Sequence, residues 1–179
     1  MEQLLRRSRC NAALARLAAG DTAALTDLYD AAGREIFALA LSVTGSRHDA
    51  EDVMQDTFLR VARSIGTYSP GDGGRVWVLT VARNIALDTV RRRRVSVPLE
   101  DAEPSDDGSL GEALGREAAF EMLQTVGEPD RTIVMLRVLT GLRNREVAAV
   151  VGMTPDAVQK RYRRALERLK TEIVEKRSK

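Results

Sequence analysis

Cysteine occurs once in the 179 residues, at Cys10, and histidine once, at His48. That excludes a disulfide framework within the chain and a zinc or thiolate site assembled from several cysteines or histidines. His48 stands beside a helix start with no second histidine or paired cysteine to work with, so it reads as solvated and Cys10 as inert. No catalytic residue, metal ligand, cofactor or small-molecule substrate is expected, and the chain does not read as an enzyme. Aromatic residues make up only 4% of the chain, and alternating runs of β-branched residues are missing, which argues against sheet. No apolar run approaches the roughly 20 residues of a membrane span. The opening residues MEQLLRRSRC hold no apolar segment followed by a cleavage signal. The expectation is a cytoplasmic, unexported chain with no membrane insertion.

What the chain has in quantity is Ala, Val, Leu and Arg, with 44% hydrophobic and 30% charged residues and a net charge of only +2. The hydrophobic period places helices at about 9–19, 21–44, 47–65 and 74–94. That run ends in RRRR (91–94), after which VSVPLEDAEPSDDGSLGEALG brings Pro, Gly, Ser and acids without a helical period in its first half. A second helical block runs from about 113 to 176, broken near 127–129, at Gly141 and at Gly152. The fold class expected is all-α, as two small helical domains, 1–94 and 113–179, joined by a flexible acidic linker, 95–112. No internal repeat survives beyond the generic helical pattern.

The stretch DAEDVMQDTF (49–58) is rich in carboxylates yet keeps the spacing of a buried helix. A projection at 100° per residue puts Ala50, Val53, Met54, Thr57 and Val61 on one side. Opposite lie Asp52, Gln55 and Asp56, with Asp49 and Glu51 at the margins and Leu59 in the middle. A leucine framed by carboxylates reads as a contact surface for a basic partner with an apolar spot, although single exposed leucines are common.

In WVLTVARNIALDTVRRRR (77–94), Val78, Val81, Ala82, Ile85 and Ala86 form the buried stripe. Trp77, Thr80, Arg83, Asn84, Leu87, Asp88 and Arg91 fall on or near the other side. Aromatic, amide and basic groups on one face suit stacking on unpaired bases, reading their edges and holding phosphates. The equal alternative is that Trp77 packs into the bundle and the arginines are solvated. The preceding loop GTYSPGDGG (66–74) is Gly-rich with one aromatic, Tyr68, and reads as mobile enough to wrap a ligand or as a plain connection.

The segment GLRNREVAAVVGMTPDAVQKRYRRALERLK (141–170) carries the sharpest local pattern. A short helix with Val147, Ala148 and Val151 on its apolar side stops at Gly152, and Thr154 caps a new helix with Pro155 at its first position. This is the grammar of a helix-turn-helix, whose second helix enters the DNA major groove. On that helix Val158, Tyr162, Ala165, Leu166 and Leu169 face inward. Asp156, Gln159, Lys160, Arg163 and Arg164 form the outer face, suited to phosphates and base edges. A solvated basic face on an ordinary helical hairpin is the bland alternative.

In order and spacing, LYDAAGREIFALALSVTGSRHDAEDVMQDTFLRV, RVWVLTVARNIALDTVRRRR and the helix-turn-helix segment resemble the sigma-70 family of RNA polymerase specificity factors. They are similar in particular to its small extracytoplasmic-function class. The resemblance implies that Asp49, Glu51, Asp52, Gln55, Asp56 and Leu59 bind core RNA polymerase at the β′ clamp helices, with the β subunit also a partner. It implies that Tyr68, Trp77, Thr80, Arg83, Asn84, Asp88 and Arg91 engage the promoter −10 element, Asn84 holding an extruded base. Thr154, Asp156, Gln159, Lys160, Arg163 and Arg164 would then read the −35 element. The linker, with its acids at 100–107, would thread the polymerase, and a cognate anti-sigma factor would hold the chain inactive. The tether would leave the two DNA readers unplaced in the free protein.

Four positions depart from the family pattern. Ala62 stands where Trp is frequent and Gly74 where a Phe or similar residue precedes Arg-x-Trp, and both are expected to loosen packing around the 66–74 loop. Arg143 replaces a capping Ser three residues before Glu146, which would pass the cap to Asn144. Tyr162 replaces an aliphatic residue and its hydroxyl needs a partner. A different class of function, a free-standing helix-turn-helix regulator with an N-terminal dimerisation or ligand domain, leaves the acid face at 49–59 without a job.

Overall fold

The computed structural model describes residues 2–69, 73–96 and 123–177, and every longer regular element among them is an α-helix. The expected linker beyond residue 96, the acids at 100–107 and the loop positions 70–72 lie outside the described residues. The first block holds α1 (Glu2–Ala18), α2 (Ala24–Thr44), α3 (Arg47–Ser64) and α4 (Gly74–Ser96), with a 3₁₀ turn at Ile65–Thr67. The second holds α5 (Asp130–Leu139), α6 (Asn144–Val151) and α7 (Pro155–Arg177).

α1 begins at Glu2 rather than near residue 9. Its apolar period starts only at Cys10, continuing through Ala13, Leu14 and Leu17, all buried, so periodicity alone cannot see the earlier turns. The preceding residues are good helix formers without a breaker, and they extend the helix. α2 is the central strut: Leu28, Ala31, Ala32, Ile36, Leu39, Ala40 and Val43 are all buried, and it packs against α1, α3, α4 and α5. It stops at Gly45, whose φ of 69° is a left-handed turn. Ser46 then caps α3 by accepting the Asp49 N–H at 3.2 Å.

The stripes expected on α3 and α4 are largely those observed. Ala50, Val53, Thr57, Val61, Val78, Ala82 and Ala86 are buried, whereas Met54, Val81 and Ile85 are half-buried. Phe58 and Leu79 join the core as well. They widen each stripe because both helices are covered on two sides, α4 being held by α2 and α3 and also by α6.

Gly74 does not loosen its surroundings. A Cβ there would stand 2.6 Å from Asn11 Oδ1 and 2.7 Å from both Leu14 Cδ1 and the Tyr68 hydroxyl. The missing side chain lets α1 close over the start of α4, so glycine tightens the packing.

The second block folds as the turn residues dictate. α6 ends at Gly152 (φ 70°), where the Gly152 and Met153 N–H groups both reach the Ala148 carbonyl. Asn144 does not take over as cap. Arg143 is the N-cap residue, and its N–H donates to Glu146 Oε2 at 2.8 Å. The glutamate supplies its half of a capping box while the arginine side chain, having no acceptor, cannot return the bond. The Tyr162 ring meets the Arg137 guanidinium at 5.2 Å from its centroid.

The two blocks are packed together, contrary to the expectation of unplaced readers. α5 lies on α2 and α6 on α4, and one apolar cluster runs from Leu28, Leu39 and Leu79 through Ile133, Leu136, Leu142 and Val147. A smaller cluster of Val126, Val134, Ala165 and Leu169 joins α5 to α7 within the second block. Among the described residues no helix is long and apolar enough to cross a membrane.

Candidate nucleic-acid interface

Of the three faces read from the sequence, those on α3 and α7 are exposed, the first with changes, and the one on α4 is exposed only in part. On α3, Asp52, Gln55 and Asp56 are exposed and Leu59 is 51% exposed. Asp49 is turned toward α4, where Arg93 Nη1 lies 3.4 Å from its Oδ2, and Glu51 accepts from Arg47 Nε at 3.1 Å. Among the described residues the least engaged carboxylates are therefore Asp52 and Asp56, His48 Nε2 reaching only to 4.0 Å of Asp52. Leu59 is not isolated among acids. With Met54, Gln55 and Phe58 it lines a groove of about 550 Å³ whose other wall is Thr22, Leu25, Thr26 and Tyr29 of α2 and its approach. Tyr29, half exposed, lies tilted against Phe58 with ring centroids 5.2 Å apart. Sequence reasoning missed Tyr29 because the groove exists only where α2 and α3 cross.

The face expected on α4 divides. Asn84 and Asp88 are exposed, Asp88 accepting from Arg91 Nη1 at 2.9 Å. Thr80 is half-buried and spends its hydroxyl on the Val76 carbonyl at 2.8 Å. Trp77 and Tyr68 do not form an open stacking platform: their rings tilt against each other at 5.2 Å, Trp77 packs on the core and Tyr68 is only 9% exposed. Tyr68 is thus a wall of the bundle under α1, and the mobile aromatic expected from the glycine-rich loop is not there. Arg83 is half-buried with its Nε lacking a partner among the described residues. It is placed close enough to Glu128 of the second block for its positive charge to act on that carboxyl. Burial nevertheless wins at Glu128 and raises its pKa, against the hydrogen bond from Thr132 and the charges of Arg83 and Arg131.

The outer face of α7 is as read. Asp156, Gln159, Lys160, Arg163 and Arg164 are all exposed, and Thr154 is exposed with its hydroxyl accepting the Ala157 N–H at 3.2 Å, so it caps the helix first. The neighbouring Arg161 is drawn to the inner side by Asp130, Nη1 to Oδ1 2.7 Å. The arrangement presents three cationic groups and one amide along the first turns of a helix that follows a tight glycine turn, which suits a phosphate-flanked groove. Cys10 is enclosed, and burial, followed by the nearby Glu35, pushes its thiol up to about 12. Among the described residues no cluster of His, Cys, Asp or Glu is arranged to hold a metal.

Two family models match in the order of the two blocks: Sigma-70 region 2 over residues 28–95, and Sigma-70, region 4 over residues 116–169. Myxococcus xanthus RNA polymerase sigma factor CarQ is 33% identical over 131 residues, covering 68% of this chain and 72% of CarQ. The chain belongs to the sigma-70 family. The ECF RNA polymerase sigma factor SigE of Mycolicibacterium smegmatis is 34% identical over 173 residues. That match covers 86% of this chain and 64% of SigE, so the chain spans a little under two thirds of that relative's length. Among solved structures, CnrH in complex with the cytosolic domain of CnrY superposes with a TM-score of 0.72, covering 91% of this chain and 96% of CnrH at 24% identity. That likeness is one of fold.

Proposed function

We infer that this chain is a sigma subunit that binds core RNA polymerase and directs promoter-specific initiation, with no catalytic activity of its own. The observation that carries this is the placement of an acidic, apolar-centred face in the region 2 match and a basic recognition helix in the region 4 match. A free-standing helix-turn-helix regulator would use the second and leave the first idle.

Asp52, Gln55, Asp56 and Leu59 are assigned to the β′ clamp helices, with Asp49 and Glu51 as flanking charges already engaged within α3 and α4. The β subunit is the second polymerase contact. Asn84, with Asp88 and Arg91 beside it, takes the −10 element, Thr80 and Arg83 adjoin it, and Tyr68 and Trp77 shape the wall behind. Gln159, Lys160, Arg163 and Arg164 take the −35 element, Asp156 orienting and Thr154 capping. We divide the chain into a region 2 module at 1–94, a connection at 95–112 and a region 4 module at 113–179. A cognate anti-sigma protein is a further expected partner, by analogy with CnrH, which was solved with the cytosolic domain of CnrY. The cytoplasm, where polymerase and promoter meet, is the assigned location.

The test is transcription by purified core polymerase on sheared genomic DNA, with RNA 5′ ends sequenced in the presence and absence of the chain. New start sites that share two upstream motifs at one spacing are expected. No new start sites together with no binding to core would reject the assignment.

A further inference from the structure

We propose that Arg75, gripped by Glu35, is a positioning residue for −10 recognition: it touches no DNA, and it sets the rotation of α4 that turns Asn84 and its neighbours outward. This deepens the sigma assignment and rests on it.

Arg75 stands in the first turn of α4 and is 6% exposed. Its Nε donates to Glu35 Oε2 at 2.7 Å and its Nη2 to Glu35 Oε1 at 2.6 Å. The same Nη2 donates to the Thr140 carbonyl at 2.7 Å. Glu35 is 5% exposed and lies midway along α2, the helix on which α1, α3 and α4 all pack. α1 closes over the pair: Cys10 is near enough to feel both charges, and Asn11 and Leu14 crowd Gly74, the residue before Arg75. The guanidinium is therefore spent inside the protein, and whatever it does for DNA binding it does through α4.

The turn of the helix says what that is. At about 100° per residue, Val78, Leu79, Ala82 and Ala86, all buried, fall within about 60° of Arg75. Trp77, Thr80, Asn84, Asp88 and Arg91 fall between about 140° and 220° from it. Asn84 comes two and a half turns after Arg75, at about 180°, on the opposite side of the helix. The fork thus holds the back of a helix whose front is the face assigned to the −10 element.

Stability alone does not account for an arginine at this place. A buried ion pair contributes little that apolar residues of similar volume would not, and its best-attested use is to fix one register among several. A cation in the first turn is also opposed by the dipole of its own helix. What the pair adds is direction. Apolar contact is non-directional, and Ala82 and Ala86 end at Cβ with nothing to key into α2. A bidentate guanidinium–carboxylate pair fixes angle as well as distance.

The test uses the full-length chain with purified core polymerase and two templates: the promoter most used by the wild type in the 5′-end experiment, and the same template with its −10 motif scrambled. Glu35→Leu with Arg75→Met replaces the ionic pair by an apolar one and removes the fork. At a Tm close to wild type and with unchanged affinity for core, this double variant is expected to lose at least tenfold in initiation on the promoter, together with most of the preference over the scrambled template. Trp77, the one tryptophan of the chain, reports the turn of α4 directly, and acrylamide quenching of its fluorescence should change although the Tm does not. Arg75→Lys keeps the charge without the fork; it should show the same loss of preference, and it decides the matter if the double variant does not fold. Wild-type yield and preference in a folded double variant, or in Arg75→Lys, overturn the proposal. So does a loss of initiation no larger than the accompanying loss of core binding or of folded protein, which marks a structural role only. A wild type that neither binds core nor initiates rejects the sigma assignment and the proposal with it.

Discussion

The Arg75 guanidinium grips both carboxylate oxygens of Glu35, at 2.6 and 2.7 Å, with the two side chains only 7% and 5% exposed. A pair so enclosed loses more from having one member removed than it contributes as a pair, because the survivor keeps its desolvation cost without its partner. Arg75→Met and Glu35→Leu should each destabilise the protein by about 3–5 kcal/mol. The double variant Glu35→Leu with Arg75→Met should recover most of that loss. Urea denaturation of the four proteins closes the cycle, and a double variant as weak as the sum of the singles would show that the pair is not what matters at this site.

Gly74→Ala adds a methyl where 2.6–2.7 Å separates the built position from Asn11, Leu14 and Tyr68. α1 must shift outward, at a cost of about 1–3 kcal/mol. A lower Tm with a looser Tyr68–Trp77 ring contact, read by near-ultraviolet dichroism, is the expected outcome. An unchanged Tm would mean that α1 is not held as closely as described.

Glu128 gives the protein a pH dependence of definite sign. Its folded pKa lies above the ordinary 4.5, chiefly because burial disfavours the carboxylate. Its stabilising contribution is therefore complete below about pH 4.5 and is lost as pH rises through the folded value. Glu128→Gln should accordingly raise the Tm at pH 7 and give almost no difference at pH 4. The charges facing this carboxyl are Arg83, Arg131 and Asp130, with Thr132 donating to it. If Glu128→Gln lowers the Tm at pH 7, the arginines outweigh burial and the sign is wrong.

Legibility of the sequence followed the range of the interactions. Helix stops at Gly45 and Gly152, the Thr154 cap and the stripes of α3, α4 and α7 are local, and periodicity and turn chemistry were enough to place them. The outer face of α7 came through entire because, among the described residues, its side chains stay exposed. Apart from the early start of α1 and the cap at Arg143, the failures were matters of what another element covers: Tyr68 beneath α1, Phe58 and Leu79 on the second buried side of their helices, Tyr29 across the groove from Leu59. The packing of the blocks was invisible for the same reason. Its key bond joins Arg75 to Thr140, 65 positions apart, through a backbone carbonyl that any residue would supply.

The acid face separates folding from function. Asp52 and Asp56 are exposed, and the one near partner, His48, makes at best a surface pair worth little. Asp52→Lys with Asp56→Lys should leave the Tm almost unchanged, within the equivalent of about 0.5 kcal/mol. Core polymerase binding should fall by at least tenfold, and the residual affinity should lose its decline with added salt. Fluorescence anisotropy of the labelled chain against core reports both. Retained binding would move the polymerase contact away from α3.

The recognition helix can be tested against its neighbour. Lys160, Arg163 and Arg164 are exposed along the outer face of α7, whereas Arg161 is held by Asp130 at 2.7 Å. Truncating an arginine that meets a phosphate should weaken binding to every duplex and reduce the salt slope by about one, whereas truncating one that meets a base edge should cost about 1–3 kcal/mol on the cognate sequence and relax specificity there. Arg163→Ala and Arg164→Ala should each show one of these signatures in holoenzyme binding to −35 duplexes. Arg161→Ala should show neither, and should instead lower stability by loosening α7 from α5. A DNA effect at Arg161 with none at Arg163 and Arg164 would rotate the reading face of α7 and overturn the assignment of its outer side.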